Sequence, residues 1–456
     1  MRLLIIGGSD AGISAALRAR EVDPSTQVHM LLADAYPNFS VCGLPFYLSG
    51  EVTDWRSLAH RSREDIESAG VHLHVTETAV SIDPSRHVVS SRDARGCSSA
   101  HEYDRLVIAT GAMPIRPPIS GLDRPGVFSL HSMDDALALY ERLSTGIRSA
   151  VIVGGGYIGL EMADALRQRN IVVTLIERLP TILRTADPQI AVRVESILAN
   201  NGVVVRTNTA VESIETQENQ LPVRCADSSA ATGDIVLLAL GVRPRSELAA
   251  TCGLVTDERG AIRVDRQMRT HLPNIFAAGD CAVTWHRLLE QDSYLPLGTT
   301  SHKQGRIAGE NAVGGVREFS GSLGTQSVKL FDRVVAATGL SEAEASSRGF
   351  PSFTTETVTL DHKAYYPGAT ELVVRLIGHR ETGRLLGGQL LGTYGHEVSK
   401  RVDVLAAAIH QGLRVEELND LDLSYTPPLS SPWDPLQMAA QDWQARRDAH
   451  KRLSPR

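Results

Sequence analysis

Five cysteines are scattered along the chain, and one of them, Cys42, lies where a thiol can do chemistry. It sits in NFSVCGLPFYLSGE, in which Gly43 and Pro45 break the chain before an apolar, aromatic run able to open a helix. Unpaired N–H groups at a helix start favour an anion. A cysteine there is shifted toward the thiolate, the form that attacks disulfides and handles electrons. Without further context a buried, inert cysteine is the commoner outcome. Cys97, Cys225, Cys252 and Cys281 offer neither a dithiol pair nor metal-ligand spacing, so no metal site is expected and a reducing compartment fits. Cys281, beside Asp280, reads as a small packing residue.

The second chemical signal is glycine. Gly7, Gly8 and Gly12 follow an apolar strand over residues 3–6 and precede a helical pattern, SAALRAR. Gly154, Gly156 and Gly159 repeat the arrangement after a strand over residues 150–153. Glycines at a strand-to-helix turn let the backbone approach a pyrophosphate, whose charge is stabilised by exposed N–H groups and the helix dipole. One such loop is weak evidence, since a tight turn needs glycine too; two in the same strand–turn–helix context point to two dinucleotides, one resident and one exchanging. Behind the second loop, VVTLIER ends in Glu177, the acidic position that completes a nucleotide-binding βαβ unit. A later block places Gly279 and Asp280 after a short strand over residues 274–277.

These residues need large, well-packed supports, and 456 residues with 42% hydrophobic content supply them. The formal charge of −7 provides no basic stripe for nucleic acid. No apolar run approaches the roughly 20 residues that cross a bilayer, and MRLLIIGGSDAG passes from strand to glycines without room for a secretion signal, so a cytoplasmic location is expected. From about residue 327 the pattern turns to strand-like runs (SVKLFDRVVAATGL, TELVVRLIG, LLGGQLLG) and one amphipathic helix, SKRVDVLAAAIHQGL, which reads as a separate α+β domain. The last residues, ARRDAHKRLSPR, read as a frayed charged tail.

With GGSDAGISAA at 7–16, SVCGLP around Cys42, ATG at 109–111, GGGYIGLE at 154–161, LALGVRP at 238–244 and AAGD at 277–280, nearly the whole chain resembles the pyridine nucleotide–disulfide oxidoreductase family. The resemblance is to its single-cysteine branch of coenzyme A-disulfide reductases, NADH oxidases and persulfide reductases. It implies an α/β fold with two Rossmann-like dinucleotide-binding domains, for FAD and NAD(P)H, plus a C-terminal α+β dimerisation domain. The implied layout is FAD segments at 1–116 and 247–324 flanking an NAD(P)H domain at 117–246, then 325–445 for dimerisation and a tail at 446–456, with a homodimer as the active unit. FAD would be held by Gly7, Gly8, Gly12, Asp34 and Asp280, the nicotinamide nucleotide by Gly154, Gly156, Gly159 and Glu177, and Ala109, Thr110, Gly111, Tyr157, Ile158, Gly241 and Gly279 are further cofactor-binding positions. Glu177 would accept from ribose hydroxyls and repel a 2′-phosphate, favouring NADH, whereas Arg178 beside it keeps NADPH open.

Cys42 becomes the redox nucleophile in that context. Two-cysteine members carry a second cysteine five positions on, where this chain has Tyr47, so an internal redox disulfide at this site is excluded. A lone thiolate must cycle through a mixed disulfide, a persulfide or a sulfenic acid. Glu161 falls where the family places a glutamate near the nicotinamide–flavin contact; a first-turn glutamate favoured by the dipole is the plain alternative. Oxidase and peroxidase relatives carry a histidine in the first glycine loop, here Asp10, which counts against a peroxidase. Tyr365, Tyr366 and Tyr425 resemble tyrosine-bearing segments that reach the partner subunit's active site, with Tyr366 and Tyr425 as candidate acids for a departing thiolate. Leu429 departs from that branch's pattern after the paired prolines. The implied substrate is a small-molecule disulfide or persulfide, coenzyme A among the candidates, its phosphates met by Arg18, Arg20, Arg56, Arg61 or Arg63. His302 lies in a segment resembling the family's flavin-lining helix. The competing readings are an NADH oxidase reducing oxygen and an electron-transfer reductase for a small redox protein.

Overall fold

In a computed structural model that describes residues 1–453, the chain forms two compact units. The first comprises Met1–Ile147, Leu237–His286 and Glu290–Ser322; the second comprises Arg148–Val236, Arg287–Leu289 and the segment from Leu323 onward.

The first unit is organised by a five-stranded parallel sheet, in order Ile275–Ala277, Arg105–Ile108, Arg2–Ile6, Gln27–Leu31 and Val71–His74. Its central strand, RLLII, is buried from Leu3 onward, as a parallel strand covered on both faces must be. The helix Asp10–Val22 follows at once, turning Ala11, Ala15, Ala16 and Ala19 inward. It packs on Gly298–Ala312, whose Gly305 and Gly309 permit near contact. A Cβ at either would lie 2.1 Å from the carbonyl oxygen of Ala11 or Ala15. A three-stranded antiparallel sheet, Glu77–Asp83, Val88–Asp93 and Ser98–Glu102, completes this unit's main elements.

The second unit holds a parallel group, in order Val203–Arg206, Val172–Ile176 and Ser149–Val153. It also holds a five-stranded antiparallel sheet, in order Gln326–Leu330, Arg333–Gly339, Leu385–Thr393, Glu371–His379 and Ser352–Leu360. Helix Val398–Gln411 lies on that sheet, where Gly388 leaves room for the Leu405 side chain. Buried Arg375 ties the unit internally, contacting Asp187 Oδ2 at 3.2 Å and Glu342 Oε2 and Glu356 Oε2 at 3.3 Å each.

The expectation of a frayed tail over 446–456 is corrected as far as Leu453, because Pro435–Leu453 is one helix. Its anchor is Trp443, fully buried, whose Nε1 donates to the Phe353 carbonyl at 2.8 Å. Arg447 lies over the indole and Arg446 pairs with Asp442 one turn back. Residues 454–456 of that expected tail lie outside the described residues. Among the described residues no helix is long and apolar enough to cross a membrane.

Candidate functional site

The first glycine loop is built by steric necessity. Gly7 has φ +111°, and a Cβ there would sit 2.0 Å from the Ala109 carbonyl oxygen; at Gly12 it would sit 1.9 Å from the Gly7 carbonyl. Ser9 leads into the helix with no side-chain cap, so first-turn N–H groups remain for an anion. Around this loop stand the other expected residues of the first site. Thr110 Oγ1 donates to the Arg245 carbonyl at 2.5 Å, and Gly111, at φ +71°, has open space where a side chain would project. Gly279 N–H donates to Gln304 Oε1 at 2.9 Å, which sets Asp280 so that its Oδ1 accepts from Ser301 Oγ at 2.7 Å. Burial raises the Asp280 carboxyl above its ordinary value. Asp34 is exposed, its Oδ1 accepting from the Tyr36 amide at 2.9 Å. A glycine cradle, an uncapped helix start and a half-buried acid beyond it suit a resident dinucleotide.

The second loop repeats the device in the other unit. Gly154 has φ +113°, and Gly156 caps the helix Tyr157–Gln168 with open space around its Cα. Glu177 holds the loop directly: its Oε2 accepts from the Gly155 amide at 2.8 Å and its Oε1 from the Leu179 amide at 2.9 Å. Each oxygen retains a lone pair for a ribose hydroxyl. The Tyr157 hydroxyl accepts from Thr185 Oγ1 at 2.8 Å. Ile158 and Gly159 follow in the same helix, whose fifth residue is Glu161. Glu161 therefore lies beyond the first turn, and burial, with Asp164 as the lesser cause, pushes its carboxyl up to about 7. Gly241, at φ +88°, belongs to the first unit, where its carbonyl accepts from the Ile115 amide at 2.9 Å.

Cys42 is exposed in the short turn Val41–Gly43, which runs into the six-residue helix Leu44–Ser49 with Pro45 in its first turn. Its segment is fastened to the first glycine loop, because the Asn38 amide donates to the Gly8 carbonyl at 2.8 Å, and the Ser40 amide donates to the Leu58 carbonyl at 2.9 Å. Tyr47 is buried and stacks on Tyr140 at 4.9 Å. Cys225 and Cys281 are buried, and no cysteine is in a disulfide. Beside this segment the structure brings together residues that no local spacing connects. Asp10 Oδ1 lies 3.3 Å from His302 Nε2, and His302 Nδ1 shares a hydrogen bond of 2.8 Å with Ser14 Oγ. Burial raises the Asp10 carboxyl, opposed by His302 and His60. Arg18 is committed to Glu21 and Glu310, and Arg20 to the carbonyls of Ala69, Pro24 and Thr26. Of the five arginines, Arg56, Arg61 and Arg63 are the exposed ones.

In the second unit, Tyr365, Tyr366 and Tyr425 are all exposed, and the Tyr365 and Tyr425 hydroxyls share a hydrogen bond that raises the Tyr365 phenol. Their two segments are joined by the Lys363 amide donating to the Pro427 carbonyl at 3.3 Å. Buried Arg401 braces both, donating to the carbonyls of Asp361, His396 and Leu429 and pairing with Asp434. Beneath Tyr366 lies a cluster that sequence reasoning missed. Asp361 Oδ2 accepts from His362 Nδ1 at 2.6 Å and contacts His396 Nδ1 at 2.8 Å. Those are hydrogen-bond lengths, whereas two ligands of one tetrahedral zinc stand about 3.3 Å apart.

Residues 1–305 match the family model described as pyridine nucleotide-disulphide oxidoreductase, and residues 325–435 match its dimerisation domain. The NAD(P)H sulfur oxidoreductase (CoA-dependent) of Pyrococcus abyssi is 34% identical over 96% of this chain and 97% of its own. An NADH oxidase of Methanocaldococcus jannaschii is 31% identical over 97% and 98%. Among solved structures, an NAD-dependent persulfide reductase from A. fulgidus superposes with a TM-score of 0.94 at 36% identity, covering 98% of this chain and 84% of that one.

Proposed function

The chain belongs to the pyridine nucleotide-disulphide oxidoreductase family, with FAD and NAD(P)H as its cofactors, and we propose that it reduces a small-molecule disulfide or persulfide through Cys42 alone. The observation that carries this reading is an exposed Cys42 fastened to the first glycine loop, with buried Tyr47 where a second thiol would be needed. FAD, when bound at Gly7, Gly8, Gly12, Ala109–Gly111 and Asp280, supplies two-electron transfer from the nicotinamide nucleotide to the oxidised thiol.

Cys42, as thiolate, attacks the substrate disulfide; a Cys42–S–S–R bond forms and one thiolate leaves. Two electrons originating in NAD(P)H then cleave that bond, returning Cys42 to thiolate and releasing the second thiol. Each departing sulfur needs a proton, and Tyr366 and Tyr425 are the groups assigned to supply it. Relatives whose names specify CoA-dependent sulfur or polysulfide/persulfide reduction make a coenzyme A species the favoured substrate. Glu177 favours NADH by charge. The dimerisation-domain match supports a homodimer, and the proposed segment layout is that of the family, with FAD regions flanking the NAD(P)H region. A cytoplasmic location accords with reduced cysteines.

A second reading, oxygen reduction through a Cys42 sulfenic acid, is favoured by one observation: His302 returns an imidazole to Asp10, the position where oxidase relatives carry histidine. Anaerobic reduction of the FAD-loaded protein by NADH, followed by mixing with coenzyme A disulfide, coenzyme A persulfide or air, separates the two. Reoxidation by a coenzyme A species that disappears in Cys42→Ser supports the reductase; reoxidation by air alone moves the assignment to an oxidase, and full turnover by Cys42→Ser moves it to an electron-transfer protein.

A further inference from the structure

We infer that His362, held by Asp361, is the proton-handling residue behind Tyr366. The inference rests on the assignment of Tyr366 as the acid for the departing thiolate. His362 is 6% exposed, with Nδ1 committed to Asp361 Oδ2 at 2.6 Å. Its other nitrogen, Nε2, is buried and has no hydrogen-bond partner among the described residues. A histidine serving only to fill a polar gap usually has both nitrogens satisfied, since a buried unpaired polar atom is destabilising. Leaving one nitrogen unpaired while a carboxylate fixes the other is the arrangement of an oriented acid–base group. The Tyr366 ring stands edge-on at 5.8 Å from the imidazole, so the dyad adjoins the phenol rather than a remote core.

The surroundings set what the dyad can do. Asp361 Oδ1 is occupied by the Thr370 amide at 2.6 Å, and the Asp361 carbonyl accepts from Arg401 at 2.9 Å, so the carboxylate cannot swing away. His396 touches the same Oδ2 and also Thr370 Oγ1 at 3.1 Å, and its ring stands 5.8 Å from that of His362. The proton path balances without electrons passing through it. The departing thiolate takes the Tyr366 hydroxyl proton and becomes a thiol. The phenolate regains a proton by way of the His362 imidazole, Asp361 balancing the charge meanwhile, and the proton consumed overall enters from solvent at the exposed Tyr366 side. His362 thus acts through Tyr366 as a positioning residue.

The test is a double-mutant cycle on the FAD-loaded enzyme with NADH and coenzyme A disulfide, using His362→Asn, Tyr366→Phe and the pair. Asparagine keeps a donor toward Asp361 but cannot carry the proton. Each single change should lower kcat by about 100-fold or more, the range of one proton-transfer group. The pair should be no slower than the slower single variant, and the solvent deuterium effect on kcat seen in the native enzyme should change alike in both. Wild-type kcat in His362→Asn, or losses that multiply in the pair, overturns the inference. A silent Tyr366→Phe overturns the tyrosine assignment itself and the inference with it, a result distinct from a silent His362→Asn. Should His362→Asn fail to retain FAD, Asp361→Asn, which removes only the charge, must show the same non-additivity with Tyr366→Phe.

Discussion

Glu161 offers the sharpest quantitative prediction, because its burial makes stability depend on pH. The carboxyl is pushed from the ordinary glutamate value of 4.5 up to about 7 by desolvation. As pH rises through 4.5 the unfolded chain releases this proton while the folded chain keeps it until about 7, so folding stability falls across that window and is level above it. At 1.36 kcal/mol per pH unit the full penalty is about 3 kcal/mol at pH 8. Glu161→Gln keeps the shape and cannot ionise, so it should melt close to wild type at pH 4.5 and higher at pH 8. For a chain of this size, roughly 1–2 °C per kcal/mol gives a gap of about 3–6 °C. Thermal melts of FAD-loaded wild type and Glu161→Gln at half-unit pH steps read the gap directly. An infrared titration should show a protonated carboxyl band that persists to neutral pH in the wild type only. A gap independent of pH would refute the reasoning.

Cys42→Ser should leave NADH able to reduce the bound flavin while lowering disulfide-dependent turnover by at least about 10³-fold, measured as anaerobic thiol release. Arg375→Met strands buried Asp187 and should destabilise the fold by about 3 kcal/mol, most of it restored by adding Asp187→Asn; urea unfolding midpoints check both. Glu177→Ala removes two carboxylate-to-amide bonds from the second glycine loop and should raise KM for NADH by about 10-fold. The same variant should narrow any preference over NADPH, read as the ratio of the two kcat/KM values.

How much of this was legible in the sequence follows from distance along the chain. Gly7, Gly12 and Gly154 announce themselves because a turn that brings backbone against backbone permits nothing larger, and the constraint is local. Cys42 is readable for a similar reason, standing directly before the helix-opening Gly43 and Pro45. The Asp10–His302 pair joins two helices 292 positions apart, and Arg375 reaches Asp187 across 188, so no spacing rule could have paired them. Trp443 explains the misread C-terminus: its charged surroundings look like a solvated tail until the Phe353 carbonyl, 90 residues away, gives the indole a partner. Glu161 is visible in the GGGYIGLE run, but its raised carboxyl was not foreseeable, because burial arises from packing.

The loss of a second thiol at Tyr47 shapes what the rest of the site must provide. In a dithiol enzyme one leaving sulfur is a protein cysteine, fixed in place with its acidity set by its surroundings. With Cys42 alone, both departing thiolates belong to the substrate, so the groups that protonate them have to meet the substrate. On the proposed reading that task falls to Tyr366 and Tyr425, which are exposed and stand on a braced base. Arg401 holds the carbonyl of Asp361, ahead of Tyr366, and that of Leu429, beyond Tyr425, and Asp361 holds the imidazole of His362 next to Tyr366. Loosening that base without touching a phenol, as Arg401→Met would, should lower kcat for disulfide reduction while leaving flavin reduction by NADH as fast as before; equal loss in both half-reactions would show that the tyrosine segments have no separate role.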